Sequence, residues 1–468
     1  MYKTAYFNYE KRENEYFVTN DLGNYCFLQE ADFERFIKGR LDPDEALFIE
    51  LQNSGFLYTD KDHYVAENAG RLEQMKSCLM TGTRLFIFVL TDTCNQRCIY
   101  CQAGTAHTSQ MTIETCKKAI DLAVQAPVAS VTIEFQGGEP TANPDTLKFA
   151  VAYAKDTFYK HGKNVDFSIV TNLSNPNPET LQFLIDENIN ISTSLDGPTY
   201  LHAYNRPLAI YKSSYEAWNS GFQLYKELCE HAGKKAFLGA LQTTTRKSLE
   251  YPKEIIDEYL SHGLTNLYIR PLTPLGYAKQ RWDTIGYTAD EFLSFYKQSI
   301  DYMIELCKQG TFVRETTASL YLERILNKVS VGHTEFRSPC GAAVGQMAIN
   351  YDGQIYTCDE GRMMANMGDN IFCLGTVNNT YKELVQSPVA HTICTASCVE
   401  TLPFCSDCVY SPFCAVCPVV TYGLEGDLIS HEKDSYKCKL AKGIMEYLFS
   451  KLNNASSDTF KILSHWVT

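Results

Sequence analysis

Three cysteines, Cys94, Cys98 and Cys101, fall within the eight residues CNQRCIYC, directly after the apolar run LFIFVL. A structural zinc site closes its tetrahedron with four ligands, commonly as paired CxxC units, so a CxxxCxxC triplet with no near partner fits zinc poorly. Three thiolates can instead anchor a 4Fe-4S cube and leave one iron open to an exogenous ligand. A second thiol-rich stretch runs as Cys340-x12-Gly353-x4-Cys358, then Cys405-x2-Cys408-x5-Cys414-x2-Cys417, then Cys438, with Cys394 and Cys398 between. CxxC units there are equally a zinc signal, and a pair of zinc ribbons is the competing reading. Asp359 and Glu360 directly follow Cys358 and are candidate proton acceptors, although an acidic pair in a turn is also an ordinary solvated feature.

The elements that must position these residues follow from periodicity. From Arg84 onward, short β-rich runs (LFIFVLT, VTIEFQ, DFSIVTN, NISTSLD, FLGALQT, NLYIRP) alternate with stretches whose apolar residues recur every three or four positions. Six strand–helix units imply a parallel sheet with right-handed crossovers, an α/β partial (β/α)6 barrel of TIM type with functional residues at the strand ends. The expected layout is a small α+β module over 1–80, the partial barrel over 81–285 and a helical bridge over 286–335. A Cys-rich domain then covers 336–440, and a helical tail 441–468. Thr288 and Glu291 have capping-box spacing at the start of the bridge. The Cys-, Gly- and Pro-rich segment needs something besides a large core to hold it, which metal clusters would supply.

Bulk properties narrow the classes. The 468 residues are 45% hydrophobic and 21% charged, an ordinary globular composition. The net charge of −13 argues against a nucleic-acid partner, since phosphate tracking draws on clustered Lys and Arg. The start, MYKTAYFNYEKRENEYF, has no apolar signal core and no run reaches the roughly 20 residues of a membrane helix, so a cytoplasmic protein without a membrane role is expected. Eighteen cysteines in such a chain favour reduced thiols or metal thiolates over disulfides. Six of them, Cys26, Cys78, Cys116, Cys229, Cys307 and Cys373, are isolated and read as small buried hydrophobes.

The triplet with Tyr100 before its last cysteine resembles the signature of the radical SAM superfamily, in which the open iron chelates S-adenosylmethionine (SAM). QGGEP at the second strand end matches the family's GGEP motif, which implies that Gly137, Gly138 and Glu139 hold the methionyl amino group. By the same resemblance Asn172, Ser194 and Asp196, at the ends of the third and fourth strands, lie by the ribose and methionyl part, and Arg206 pairs with the SAM carboxylate. The chemistry so implied is reductive cleavage of SAM to methionine and a 5′-deoxyadenosyl radical, driven by a low-potential donor of flavodoxin or ferredoxin type.

The later cysteines resemble the seven-cysteine SPASM pattern of two auxiliary 4Fe-4S clusters, with CAVC one residue shorter than the usual spacing. That resemblance assigns Cys405, Cys408, Cys414 and Cys438 to one cluster and Cys340, Cys358 and Cys417 to the other. The fourth ligand of the second is Cys394 or Cys398, or its iron is open. The full pattern looks most like radical SAM maturases of His-Xaa-Ser peptide systems, which implies a precursor peptide substrate and a partner radical SAM enzyme. The alternative is an anaerobic sulfatase maturase forming formylglycine, in which the Asp359 position acts as base. A non-catalytic iron-sulfur or zinc scaffold is the remaining option. Residues 1–80 suit recognition of a leader peptide by strand addition, and Tyr277, in PLTPLGYA, is a candidate channel residue outweighed by a packing role.

Overall fold

The computed structural model describes residues 2–79, 81–102, 108–209, 213–454 and 456–467. At the N-terminus β1 (Lys3–Thr4) pairs with β5 (Leu57–Tyr58), while β2 (Asn8–Arg12), β3 (Glu15–Thr19) and β4 (Tyr25–Gln29) form an antiparallel meander. Helices Glu30–Ile37, Ala46–Asn53 and Lys61–Met75 accompany them, and Phe33, Phe36, Phe48, Leu51 and Phe56 form a core separate from the main one.

The six expected barrel strands are present: β6 (Leu85–Thr91), β7 (Ser130–Gly137), β8 (Asn164–Val170), β9 (Asn190–Ser194), β10 (Leu238–Thr243) and β11 (Asn266–Arg270), each parallel to its neighbour. Some of the helices between them begin where a short polar side chain satisfies orphan amides. Thr112 accepts from Thr115 N ahead of Ile113–Ala123, and Asn177 accepts from Glu179 N and Thr180 N ahead of Pro178–Asp186. Phe86, Phe88, Ile133, Phe135, Phe167 and Ile169 point from the sheet into the helices and are almost fully buried. The Thr288–Glu291 capping box opens helix Ala289–Lys308 as its spacing predicts, with Thr288 N donating to Glu291 Oε2 at 2.7 Å.

The sheet extends beyond six strands at both edges. β12 (Arg314–Glu315) joins β11 in parallel; beyond β6 come β13 (Gln346–Ile349), parallel to it, then β14 (Gln354–Tyr356) and β15 (Cys373–Thr376), antiparallel. The expected hairpin MAINYDGQIYTCDEG is β13 and β14, turned at Gly353 with φ +84°. Ala348 and Ile87 share a small core across the β6–β13 seam, so the first and last parts of the sheet are one piece.

The N-terminal meander lies against the Cys-rich segment. Asn8 Nδ2 donates to Ser406 O (3.1 Å) and Cys408 O (3.2 Å), Thr19 Oγ1 to Val409 O (2.8 Å) and Arg12 Nη2 to Tyr410 Oη (2.8 Å). Among the described residues no helix is long and apolar enough to cross a membrane.

Candidate active site

The CNQRCIYC loop leaves β6 and is fastened by backbone hydrogen bonds on two sides. Arg97 N and Ile99 N donate to Pro207 O (2.7 Å) and Asn205 O (2.9 Å), and Tyr277 N donates to Cys101 O (3.1 Å). The next strand end supplies a close backbone approach. Gly138 N donates to Thr91 O (2.7 Å) and Glu139 N to Thr93 O (2.8 Å); a Cβ on Gly137 would sit 2.1 Å from Thr91 O and one on Gly138 2.4 Å from Thr93 O. Glycine is therefore required at both positions by space, and at Gly137 by φ +148° as well.

A cavity of about 240 Å³ opens there. Every barrel strand end reaches it. Cys94, Cys98, Tyr100 and Cys101 line it after β6, and Gly137 and Gly138 at β7; Asn172, Ser194, Thr243 and Arg270 arrive from β8 to β11. Arg206 completes the wall with Met363 from helix Asp359–Asn366. The three thiols, the two glycines, Tyr100, Asn172, Ser194 and Arg206 thus line one cavity.

Polar donors face the sulfurs. Arg206 Nη1 is 3.9 Å from Cys98 Sγ, Asn172 Nδ2 is 3.6 Å from Cys94 Sγ, and Gln96 N donates to Cys94 Sγ at 3.4 Å. Burial pushes the Cys94 thiol up to about 11 and the Cys98 thiol up to about 12, so metal must displace the proton to bind either. Arg206 Nε sits 3.1 Å from Asp196 Oδ2, an ion-pair contact whose angle misses hydrogen-bond geometry. Burial disfavours the guanidinium charge, yet Asp196 and the Tyr100 and Cys98 groups hold its pKa above the usual value.

Two expected ligand-facing residues stand behind the wall instead. Glu139 does not line the cavity: its carboxylate accepts from Thr171 Oγ1 (2.7 Å), Thr141 Oγ1 (2.7 Å) and Asn172 N (2.8 Å), and so fixes the β8 end. Burial pushes its pKa up, and those hydrogen bonds oppose that. Asp196 is fully buried and accepts from Tyr100 Oη (2.7 Å) and Thr243 N (3.2 Å), tying the cysteine loop to Arg206 and β10. Tyr277 packs beside Cys101 through its backbone and is absent from the lining.

The barrel lumen is open. A cavity of about 900 Å³ shares Gln136, Val170, Ser194 and Arg270 with the cysteine-lined one, and Asp359 and Glu360 form part of its wall. Asp359 Oδ1 accepts from Arg362 Nε (2.9 Å) and Nη2 (2.8 Å). Burial pushes Glu360 up, with Glu335 and Asp359 adding to the shift and Arg270 opposing it. Residue-by-residue reading missed Arg270, Met363 and the lumen residue Glu134. The signal for Glu134 lay in VTIEFQG, where Thr132, Glu134 and Gln136 share one parity in a strand that a parallel sheet ordinarily buries on both faces.

The later cysteines gather in two neighbourhoods. Cys340, Cys358 and Cys417 sit in one apolar cluster with Leu275, Met364 and Phe372. Cys405, Cys408, Cys414 and Cys438 line a second space of about 80 Å³, which Cys417 and Lys437 also border. Besides burial, Cys394 feels Arg337 and Cys398, and Cys398 feels Glu400 and Lys76, an environment unlike that of the Cys340 set. Among the described residues no three His, Cys, Asp or Glu side chains converge tightly enough for a single metal ion.

Comparison with known proteins agrees with this geometry. The model of the Radical SAM superfamily matches residues 88–250. The radical SAM cyclopropyl synthase TigE of Paramaledivibacter caminithermalis is 23% identical over 58% of this chain and 56% of its own length. The cysteine-type anaerobic sulfatase-maturating enzyme of Clostridium perfringens is 21% identical over 81% of this chain and 100% of its own. The chain spans 65% and 56% of the first two curated relatives it matches, an uncharacterized protein of Methanocaldococcus jannaschii and TigE. Among solved structures, native anSMEcpe with bound AdoMet and Kp18Cys peptide aligns with a TM-score of 0.68 at 20% identity, covering 80% of this chain and 98% of that one. Streptococcus suis SuiB bound to precursor peptide SuiA aligns at 0.56 and 15% identity, covering 93% and 99%. At such identities these two structures speak to the fold. A six-stranded parallel core with the cysteine triplet after its first strand, matched by the superfamily model, identifies residues 88–250 as a radical SAM domain.

Proposed function

We propose that this chain is a radical SAM enzyme that modifies a ribosomally made peptide or protein. The observation carrying the reading is that the cysteine-lined cavity opens into a lumen of about 900 Å³, within the range of ligand pockets. The donor set fits the implied group: Cys94, Cys98 and Cys101 would hold a 4Fe-4S cluster through three thiolates, and Gly137, Gly138 and Arg206 line the same cavity. With SAM bound, such a cluster would supply one-electron cleavage of the sulfonium to methionine and a 5′-deoxyadenosyl radical. The chain's own residues do the rest. Asn172 and Arg206 direct N–H groups at the sulfurs, Glu139 holds the Asn172 backbone and Asp196 the Arg206 side chain.

Asp359 and Glu360 are the proton acceptors in this reading, since both face the lumen. The two later thiol sets are assigned to auxiliary clusters, Cys405, Cys408, Cys414 and Cys438 in one and Cys340, Cys358 and Cys417 in the other. A peptide partner draws support from the two solved relatives bound to peptides, Kp18Cys and SuiA. Residues 1–80 are assigned to leader recognition, and a flavodoxin- or ferredoxin-type donor to reduction of the clusters. A second reading, formylglycine formation on a sulfatase, is favoured by Asp359 placed directly after Cys358 on the lumen wall.

Anaerobic reconstitution with SAM and dithionite tests the core of the proposal. Methionine and 5′-deoxyadenosine accumulate, and Cys98→Ala abolishes both while leaving the far-ultraviolet dichroism intact. Failure of wild-type protein carrying its clusters to cleave SAM would sink the reading. Co-expression with candidate peptides and weighing the products separates the two substrates.

A further inference from the structure

The lumen holds a carboxylate that the proposed chemistry leaves unused. A closed α/β barrel fills its interior with layers of Val, Ile and Leu. Here the inward positions include Thr132 and Glu134 on β7, Ser192 and Ser194 on β9 and Gly239 on β10, small or polar residues that leave the 900 Å³ space. Glu134 is the acid among them. Its Oε1 accepts from Gln136 Nε2 at 2.6 Å and its Oε2 from Ser168 Oγ at 3.1 Å, both neutral donors.

Two of the neighbouring acids are already compensated: Asp359 is held by Arg362, and Glu335 Oε1 lies 3.8 Å from Arg270 Nη2. Glu360 is pushed toward its neutral form by burial and by Glu335 and Asp359, against the pull of Arg270. Of the bases lining the lumen, Arg84, Arg270, Arg337 and His333, none makes an ion pair with Glu134 among the described residues. Asp359 and His333 act on it from a distance in opposite senses, and burial dominates in pushing its pKa up. Glu134 therefore keeps free acceptor capacity in a partly desolvated wall, where a cationic donor gains more than water does.

We propose that Glu134 selects the peptide residue entering the lumen, favouring a cationic, hydrogen-bond-donating side chain such as Lys or Arg over an acidic or apolar one. This rests on the peptide-modifying reading and adds its substrate class.

The test uses reconstituted holoenzyme with SAM and blocked glycine–serine peptides differing only in a central Lys, Glu or Leu. Calorimetry should show the Lys peptide binding about tenfold or more tighter than the Glu peptide, the worth of one charged hydrogen bond. Glu134→Gln should bring that ratio near unity, and Glu134→Lys should invert it, with melting curves confirming that both variants fold. If neither folds, the wild-type series decides alone. Equal binding of the Lys and Glu peptides overturns the selectivity and leaves the peptide-modifying reading standing; binding of none of the three overturns both.

Discussion

The two thiol-bearing regions are built on opposite plans. Cys94, Cys98 and Cys101 come from one loop whose position is set by a parallel sheet and by backbone hydrogen bonds to Asn205, Pro207 and Tyr277. The later thiols come from segments up to about a hundred residues apart, joined by short helices and turns such as Val399–Thr401 and Ser411–Phe413. In the first region the scaffold places the ligands. In the second, any cluster the thiols hold would itself close the loops, as metals do in small domains with little core.

Metal removal would test that contrast most strongly. Under anaerobic chelation, amide exchange across 398–438 should rise at least about a hundredfold, because opening there loses ligation that the apolar cluster around Cys340 does not replace. Strands β6 to β9 should keep their protection. Equal loosening of both regions would show that the barrel also depends on its metal.

The next effect belongs to the scaffolded site. Gly138→Ala pushes a Cβ to 2.4 Å from Thr93 O and 2.7 Å from Asp92 O, both backbone atoms with little freedom to retreat. A cost of at least about 2 kcal/mol and loss of SAM cleavage are expected. Gly162→Ala is the control, with nothing within 4 Å of its Cβ and only the strain of φ +65° to bear. Retention of SAM binding in Gly138→Ala, measured by equilibrium dialysis, would show that the β7 end shifts without harm.

What the sequence discloses follows the same division. The triplet, QGGEP, the six strands and the Thr288–Glu291 cap are local patterns, and each lies where its pattern places it. Glu139 and Asp196 are legible as important but not as buried, because whether a carboxylate faces ligand or its own scaffold depends on Thr171, Tyr100 and Arg206, far off in sequence. The pairing of β13 with β6 joins residues some 260 apart, and nothing in QMAI distinguishes a sheet-extending strand from an isolated hairpin. Glu134 hid in a strand that looks amphipathic for no visible reason until the lumen is seen.

The smallest effect concerns how the second region is steadied from outside. Asn8 is buried, and its single amide nitrogen reaches two carbonyls, Ser406 O and Cys408 O, within the Cys405–Cys408 turn. Phe17 and Tyr25 pack on Phe449 of helix Tyr436–Asn453 beside the same turn, with ring centroids 4.8 Å apart in each pair. The N-terminal meander is thus a splint for loops that have little secondary structure of their own. Asn8→Ala removes both hydrogen bonds, leaving Cys408 O to water and Ser406 O with only the longer bond from Tyr6 Oη at 3.4 Å, a loss of about 1 to 2 kcal/mol. The loss should appear in hydrogen exchange at 402–410 before it appears in the melting of the whole chain, and it should grow once chelation has removed any ligation that masks it. If Asn8→Ala leaves exchange at 402–410 unchanged in both forms, the meander only sits against that turn and does not hold it.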